Sequence, residues 1–217
     1  MSLLIKICGL STPETLEAAL VAGADMVGFV FFPPSPRNLS LDDAMALGAQ
    51  AEGRAIKVAL SVDADDAFLD AAVEAARPDM LQLHGKETPE RVLDLKRRYG
   101  LPVMKAIHVS NADDLAAVAE YENAADRLIF DARPPKGAIL PGGNGAAFDW
   151  AILDHLDTRL PWMLSGGINP ANVAEAIAVT RAPGVDVSSG VESAPGVKNA
   201  QLIAEFIRHA RGGETLK

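Results

Sequence analysis

The chain has 217 residues, 49% of them hydrophobic and 23% charged, with a formal net charge of −9 at pH 7. An acidic chain without a basic block is excluded as a nucleic-acid or anionic-membrane binder, although a local nest of N–H groups still suits a small phosphorylated ligand. The single cysteine excludes an intrachain disulfide and a Cys-rich zinc site; no apolar run reaches the ~20 residues of a membrane span and nothing resembles a signal peptide, so a cytoplasmic protein is expected.

The length suits one domain with a substantial core. Leu3–Cys8 predicts the first strand, with Lys6 and Cys8 on one face and Ile5 and Ile7 on the other. Ser11 or Thr12 can cap a helix that has Pro13 in its first turn, apolar residues at helical spacing over Glu14–Ala22, and Gly23 at its end. Met26–Phe32 is the second strand, and the loop Pro33–Arg37 is too proline-rich to continue it. Ser40 caps a helix at Leu41–Ala51. Ile56–Val62 is the third strand, followed by a helix at Asp65–Ala76 that Pro78 stops. Met80–His84 precedes a helix at Pro89–Tyr99, capped by Thr88 and ended by Gly100; Val103–Val109 precedes one at Ala112–Tyr121. Arg127–Asp131 is the sixth strand. After it comes an irregular stretch, Ala132–Ala147, with four glycines and three prolines; a loop that long is usually functional. Trp162–Ser165 precedes a helix at Pro170–Val179, and Val185–Ser188 precedes the last, Ala200–Arg211. Near-continuous apolar strands imply burial on both faces, and eight strand–helix units predict an α/β chain folded as a (β/α)8 TIM barrel, a single domain over residues 1–217. A doubly wound open sheet is the competitor, but it would place Gly-rich phosphate contacts after the first strand.

In such a barrel the site is built from the loops that follow the strands. Cys8 and Gly9 stand after the first, Arg37 after the second, Gln82 and His84 on one face of the fourth, and Asp131 and Arg133 after the sixth. The seventh loop carries Ser165-Gly166-Gly167 and the eighth Asp186-Val187-Ser188-Ser189-Gly190. Paired glycines let N–H groups approach an anion and a helix start adds its dipole, so these loops predict a phosphate site, with a short extra helix opening after the eighth strand. A Cys8 thiolate can abstract a carbon-bound proton and Asp131 can protonate a leaving oxygen; the bland alternatives are a core cysteine and a turn-capping aspartate. The thiol needs a nearby cation to ionise, which Lys6 on the same face can supply. His84 reads as an acid–base group, a ligand or a satisfied structural residue. With no second histidine or paired carboxylates at strand ends, no metal site is expected. His108 falls elsewhere in the pattern, and His155 and His209 read as surface helix residues. Arg37, held among prolines, suits a bidentate grip on a carboxylate. Lys6, Lys105 or Lys136 as a Schiff-base lysine keeps an aldolase-type reading open.

Lys6-Ile7-Cys8-Gly9-Leu10 resembles the opening signature of the phosphoribosylanthranilate isomerases. Gly28-Phe29-Val30-Phe31 through Ser35-Pro36-Arg37 and Leu81-Gln82-Leu83-His84-Gly85 look like that family's second and fourth units. Asp131, Gly142-Gly143-Asn144-Gly145 with Phe148-Asp149-Trp150, Leu164-Ser165-Gly166-Gly167 with Asn169-Pro170, and Asp186 through Glu192 extend the likeness over nearly the whole chain, in order. The resemblance implies a (β/α)8 barrel and an aldose–ketose isomerase of tryptophan biosynthesis. Its reaction would be the Amadori rearrangement of N-(5-phosphoribosyl)anthranilate to 1-(2-carboxyphenylamino)-1-deoxyribulose 5-phosphate. It implies Asp131 as general acid and Cys8 as general base, Arg37 on the anthranilate carboxylate and Asp186 at the sugar hydroxyls. The phosphate would lie on Gly143, Gly145, Gly166, Gly167, Ser188, Ser189 and Gly190. Lys6, Gln82 and His84 complete the expected substrate-binding set, with Lys6 keeping the Cys8 thiolate charged. No metal and no cofactor are implied, because the substrate's own nitrogen is the electron sink. The expected partner is a small phosphorylated substrate, and the chain is expected as a monomer or homodimer. Asn144 stands where the family usually has Thr or Ser, and Asn199 where Asp is common, a change confined to a helix cap. A Schiff-base lyase, a metal-dependent epimerase and a non-catalytic phosphate-binding barrel are the other readings.

Overall fold

A computed structural model describes residues 3–134, 137, 140, 142, 143, 145 and 147–212. The strands are β1 (Leu4–Cys8), β2 (Met26–Phe31), β3 (Ile56–Ser61), β4 (Met80–Leu83), β5 (Val103–Val109), β6 (Arg127–Ala132), β7 (Trp162–Leu164) and β8 (Gly184–Val187). They form a closed barrel in sequence order. All neighbours are parallel, and β1 closes on β8 with Leu4 opposite Gly184 and Lys6 opposite Asp186. The helices are α1 (Pro13–Ala22), α2 (Leu41–Ala51), α3 (Asp66–Ala76), α4 (Pro89–Tyr99), α5 (Val118–Tyr121), α6 (Val173–Thr180) and α7 (Ala200–Ala210).

Local chemistry sets most helix bounds. Thr12, Ser40 and Thr88 accept the N–H of the residue three positions on, while Gly23 and Gly100 end their helices in the left-handed region. Asn199 caps α7 by accepting from the N–H groups of Gln201 and Leu202. Three predicted helices are altered. Over Ala112–Ala117 the chain winds as a 3-10 helix, because Asn111 and Asp114 form a capping box that tightens the turn; only Val118–Tyr121 is α. The seventh helix starts at Val173, not Pro170, since Asn169 and Asn172 bond across an intervening turn. The sixth unit, for which no helix range is predicted, carries a 3-10 turn, Trp150–His155. After β8 the expected short helix is the 3-10 turn Ser189–Val191. An unpredicted antiparallel hairpin follows it, β9 (Glu192–Ala194) with β10 (Val197–Lys198).

Strand alternation divides the core. Outward residues such as Ile5, Ile7, Val27, Phe29, Leu81, Phe130 and Val185 pack against Leu16, Leu47, Leu69, Val92, Ile203 and Phe206 of the helices; each such burial contributes about 1.5–3 kcal/mol. Inside the barrel, Met26, Val58, Met80, Met104, Ala106, Ile129 and Met163 fill the floor with Leu4 against them. Two residues further along the same strands come the polar residues of the upper barrel: Lys6 above Leu4, Gln82 above Met80, His108 above Ala106, and Asp131 above Ile129. The floor is therefore dry, and the polar groups gather where the strands end.

Candidate active site

The site is a cavity of about 770 Å³, counting its open mouth, at the C-terminal ends of the strands. Cys8, Arg37, Gln82, His84, Asp131, Gly143, Gly145, Gly166, Gly167, Asp186, Ser188, Ser189 and Gly190 all line it. Lys6 does not. It is fully buried beneath the cavity, donating to Asp186 Oδ1 at 2.7 Å. Asp186 Oδ2 accepts from the Ser165 hydroxyl at 3.1 Å, so both carboxylate oxygens have protein partners.

Cys8 packs with Val30 and Leu60 on an apolar wall that includes Phe32 and Val62. Space for its sulfur comes from Gly28 on the neighbouring strand, where a Cβ would lie 2.8 Å from Sγ and 3.2 Å from Lys6 Nζ. Gly28 was not singled out from sequence; the signal is the glycine inside an otherwise apolar strand. Burial pushes the Cys8 thiol up, and the Lys6 and Lys198 charges offset this only in part. The expectation that Lys6 sets a charged thiolate is thus corrected: desolvation outweighs it. Burial also opposes charge on Lys6 itself, but Asp186 and Cys8 prevail and hold it above the ordinary lysine value.

Asp131 and His84, read separately in the sequence, form a pair: His84 Nε2 lies 3.1 Å from Asp131 Oδ2. Gln82 Nε2 lies 3.1 Å from His84 Nδ1, and Asp131 Oδ1 accepts from the Ala132 N–H at 2.9 Å. Gly142 lies so close over this pair that a Cβ there would be 2.5 Å from Asp131 Oδ2 and 2.6 Å from His84 Nε2. The second histidine missing from the sequence pattern is also here. His108 sits edge-on to His84, ring centroids 5.2 Å apart, and His84, His108 and Asp131 bring one ligand-capable atom each within 4.8 Å of the others. The ring nitrogens of His84 are both engaged, one by Gln82 and one by Asp131. Burial, followed by the neighbouring His84, pushes His108 down to about 4, so its ring is neutral at pH 7.

The two loops expected to hold phosphate both reach the cavity. Gly166 and Gly167 are successive residues at φ 81° and 69°, left-handed backbone that favours glycine. They face Ser188, Ser189 and Gly190 across the cavity wall. Arg37 is 5% exposed and already holds a carboxylate: Nε and Nη2 donate to Glu192 at 2.7 and 2.8 Å. Its side-on fork is therefore occupied, and Nη1 is the nitrogen outside that pair, next to Gly143. Glu192 also accepts from Lys198 Nζ at 2.6 Å, and Lys198 donates to the Ser188 carbonyl at 2.9 Å. Burial works against the charge on Glu192, but Arg37 and Lys198 outweigh it and hold the carboxyl below the ordinary value. Glu192 and Lys198 were not read as site residues; the Arg37 that Glu192 binds lies 155 residues away in sequence.

Of the candidate Schiff-base lysines, Lys6 and Lys105 do not line the cavity. Lys6 is paired as described, and Lys105 donates to the Leu83 and Gly85 carbonyls and to Glu87. Lys136 and Asn144 lie outside the described residues. Arg133 turns away to Asp114 and Ser110. No described helix is long and apolar enough to cross a membrane.

The family model for N-(5'-phosphoribosyl)anthranilate (PRA) isomerase matches residues 5–209. The N-(5'-phosphoribosyl)anthranilate isomerase of Nitrobacter winogradskyi is 64% identical over 215 residues, covering 99% of this chain and 96% of that protein. A crystal structure of phosphoribosyl anthranilate isomerase in complex with reduced 1-(o-carboxyphenylamino)-1-deoxyribulose 5-phosphate is 32% identical, with TM-score 0.82 over 97% of this chain and 99% of the other. Monomers generated from the dimeric Thermotoga maritima isomerase match with TM-score 0.79 and 32% identity over 97% and 99% of the two chains. With a model match over almost the full barrel and relatives this similar, the chain belongs to the N-(5'-phosphoribosyl)anthranilate isomerase family.

Proposed function

We infer that the protein catalyses the Amadori rearrangement of N-(5-phosphoribosyl)anthranilate to 1-(2-carboxyphenylamino)-1-deoxyribulose 5-phosphate, a step of tryptophan biosynthesis. The observation that carries the reading is one cavity holding a carboxyl group, a thiol and a glycine–serine phosphate cradle. The phosphate lies between Gly166-Gly167 and Ser188-Ser189-Gly190, with Gly143 and Gly145 over it. Asp131 gives its proton to the ribose ring oxygen; the C1′–O bond breaks and the lone pair of the anilino nitrogen on C1′ forms a C=N bond. The resulting iminium acidifies the C2′ hydrogen, which the Cys8 thiolate removes to give the enolamine that becomes the ketone. A thiol raised by burial is the minor source of thiolate in the empty site, but the base it yields is a strong one. The anthranilate carboxylate meets Nη1 of Arg37, because Glu192 holds the other edge. Lys6 acts from beneath, keeping Asp186 in place and lowering the energy of the thiolate.

Freshly made phosphoribosylanthranilate loses its fluorescence faster when the protein is added; no acceleration refutes the activity. Cys8→Ser and Asp131→Asn are each expected to lower kcat by at least ~100-fold, as for lost acid–base catalysis, with product still bound. Wild-type turnover by either variant would remove that residue's role.

A further inference from the structure

Three successive strands bring together donors that suit a metal ion. His84 follows β4, His108 lies on β5, and Asp131 lies on β6 opposite His108 in the ladder. One donor atom from each, two imidazole nitrogens and a carboxylate oxygen, lie within 4.8 Å of one another. His84 Nε2 and Asp131 Oδ2 are 3.1 Å apart; two ligands of a tetrahedral zinc ion with bonds of about 2.0–2.1 Å stand roughly 3.3 Å apart. Little holds His108 back. Its Nδ1 is buried without a hydrogen-bond partner among the described residues, and its Nε2 is 3.4 Å from the His84 carbonyl, so drawing the ring inward costs at most one long hydrogen bond. Gly142 lies over the pair, where a Cβ would come 2.5 Å from Oδ2 and 2.6 Å from Nε2; the missing side chain keeps both donor atoms approachable. A ligating histidine anchors its other ring nitrogen on an acceptor. The Gln82 amide stands at His84 Nδ1, and its Oε1 is buried and unpartnered among the described residues, so a turn of the amide supplies that acceptor. Charge agrees. Asp186, the other carboxylate lining the cavity, is held by Lys6, and Glu192 holds Arg37 and Lys198; the ion-pair partner of Asp131 is a histidine.

We propose that His84, His108 and Asp131 bind one zinc-class divalent cation, and that the ion switches the enzyme off by occupying Asp131 Oδ2. Imidazole with a carboxylate suits Zn2+ and its first-row neighbours, whereas Mg2+ and Ca2+ prefer oxygen sets. The ion takes the place of the hydrogen between Nε2 and Oδ2, which leaves to the solvent of the cavity. The ring, neutral as a ligand, takes its one hydrogen from water at Nδ1. Water fills the remaining ligand position. Asp131 then has no proton to pass to the ribose oxygen. This last step rests on Asp131 as proton donor in the proposed reaction; the binding of the ion does not.

The full-length, chelator-treated protein titrated with Co2+, a spectroscopic stand-in for Zn2+, tests the site. One Co2+ per chain is expected, with the visible absorption of a four-coordinate ion, undisturbed by excess Mg2+. His108→Phe keeps a ring against His84 and removes the donor. It is expected to weaken binding by at least about 10-fold, since even the partners behind a ligand are worth about 10–100-fold. His108→Gln is the second variant should the first not fold. Cys8→Ser is expected to bind Co2+ as the wild type does. Zn2+ is expected to stop wild-type turnover and a chelator to restore it. At a Zn2+ concentration that halves the wild-type rate, the His108 variant is expected to keep most of its own metal-free rate. An absent Co2+ band, binding unchanged in the His108 variant, or binding lost in Cys8→Ser would overturn the site. Zn2+ bound there with full turnover would overturn the inhibition. If Co2+ binding follows His108 but the metal-free wild type has no isomerase turnover, the site stands and it is the assigned reaction that fails.

Discussion

At the scale of single residues, the thiol of Cys8 is closely confined. It is 3% exposed, set against Val30 and Leu60, and admitted only because Gly28 has no side chain. Desolvation disfavours its charged form more than Lys6 and Lys198 favour it. Lys6→Met removes one of those cations and also leaves the Asp186 carboxylate unneutralised nearby; both changes act in the same direction. The titration midpoint of Cys8, followed by the pH dependence of iodoacetamide alkylation, is expected to rise further in that variant. An unchanged midpoint would strip Lys6 of its electrostatic role. None of this was visible in Lys6-Ile7-Cys8 itself: alternation put the two side chains on one face, but the competing anion is 180 residues from Lys6.

At the scale of elements, the β9–β10 hairpin decides how Arg37 can be used. Its two strands are three and two residues long, too short for any periodic signal. Yet it delivers Glu192 to the Arg37 fork and Lys198 to Glu192 and the Ser188 carbonyl, so one hairpin steadies both Arg37 and the Ser188-Ser189-Gly190 loop. Glu192→Gln leaves two buried cations around a neutral amide. It is expected to lower stability by on the order of 3 kcal/mol, read from urea unfolding, and to raise KM more than it lowers kcat because Arg37 loses its pose. A stability and KM equal to wild type would show the hairpin to be decorative. By contrast the helix starts at Thr12, Ser40 and Thr88 and the stops at Gly23 and Gly100 were legible, since a cap acts within one turn of its own residue. The predicted helix over Ala112–Tyr121 was altered for the same local reason: Asn111 and Asp114 bond each other's backbone and tighten the turn.

At the scale of the whole molecule, strand pairing gathers titratable groups that are far apart in sequence, β4 beside β5 and, where the barrel closes, β1 beside β8. His108 on β5 is brought against His84 and is held down to about 4, by burial first and then by that neighbour. Its folded-state value lies below the unfolded value of 6.5. The associated stability is therefore complete above about pH 6.5 and is lost as pH falls through that range toward 4. Urea midpoints at pH 7 and pH 4.5 are expected to differ less in His108→Gln than in the wild type. An equal difference would show that His108 is not among the groups driving acid unfolding.

The sequence by itself determined what depends on neighbours along the chain. That includes the alternation of eight strands and their connections, the caps, the glycine pair after the seventh strand and the Ser-Ser-Gly run after the eighth, and the family signature around Cys8. Tertiary structure alone decided which polar groups meet: Asp131 with His84 and Gln82, Lys6 with Asp186, Arg37 with Glu192 and Lys198. The physical reason is range. Period and capping are written within a few residues, whereas a buried ion pair needs two side chains to be desolvated together. Only the closed barrel, with β1 beside β8, makes that happen.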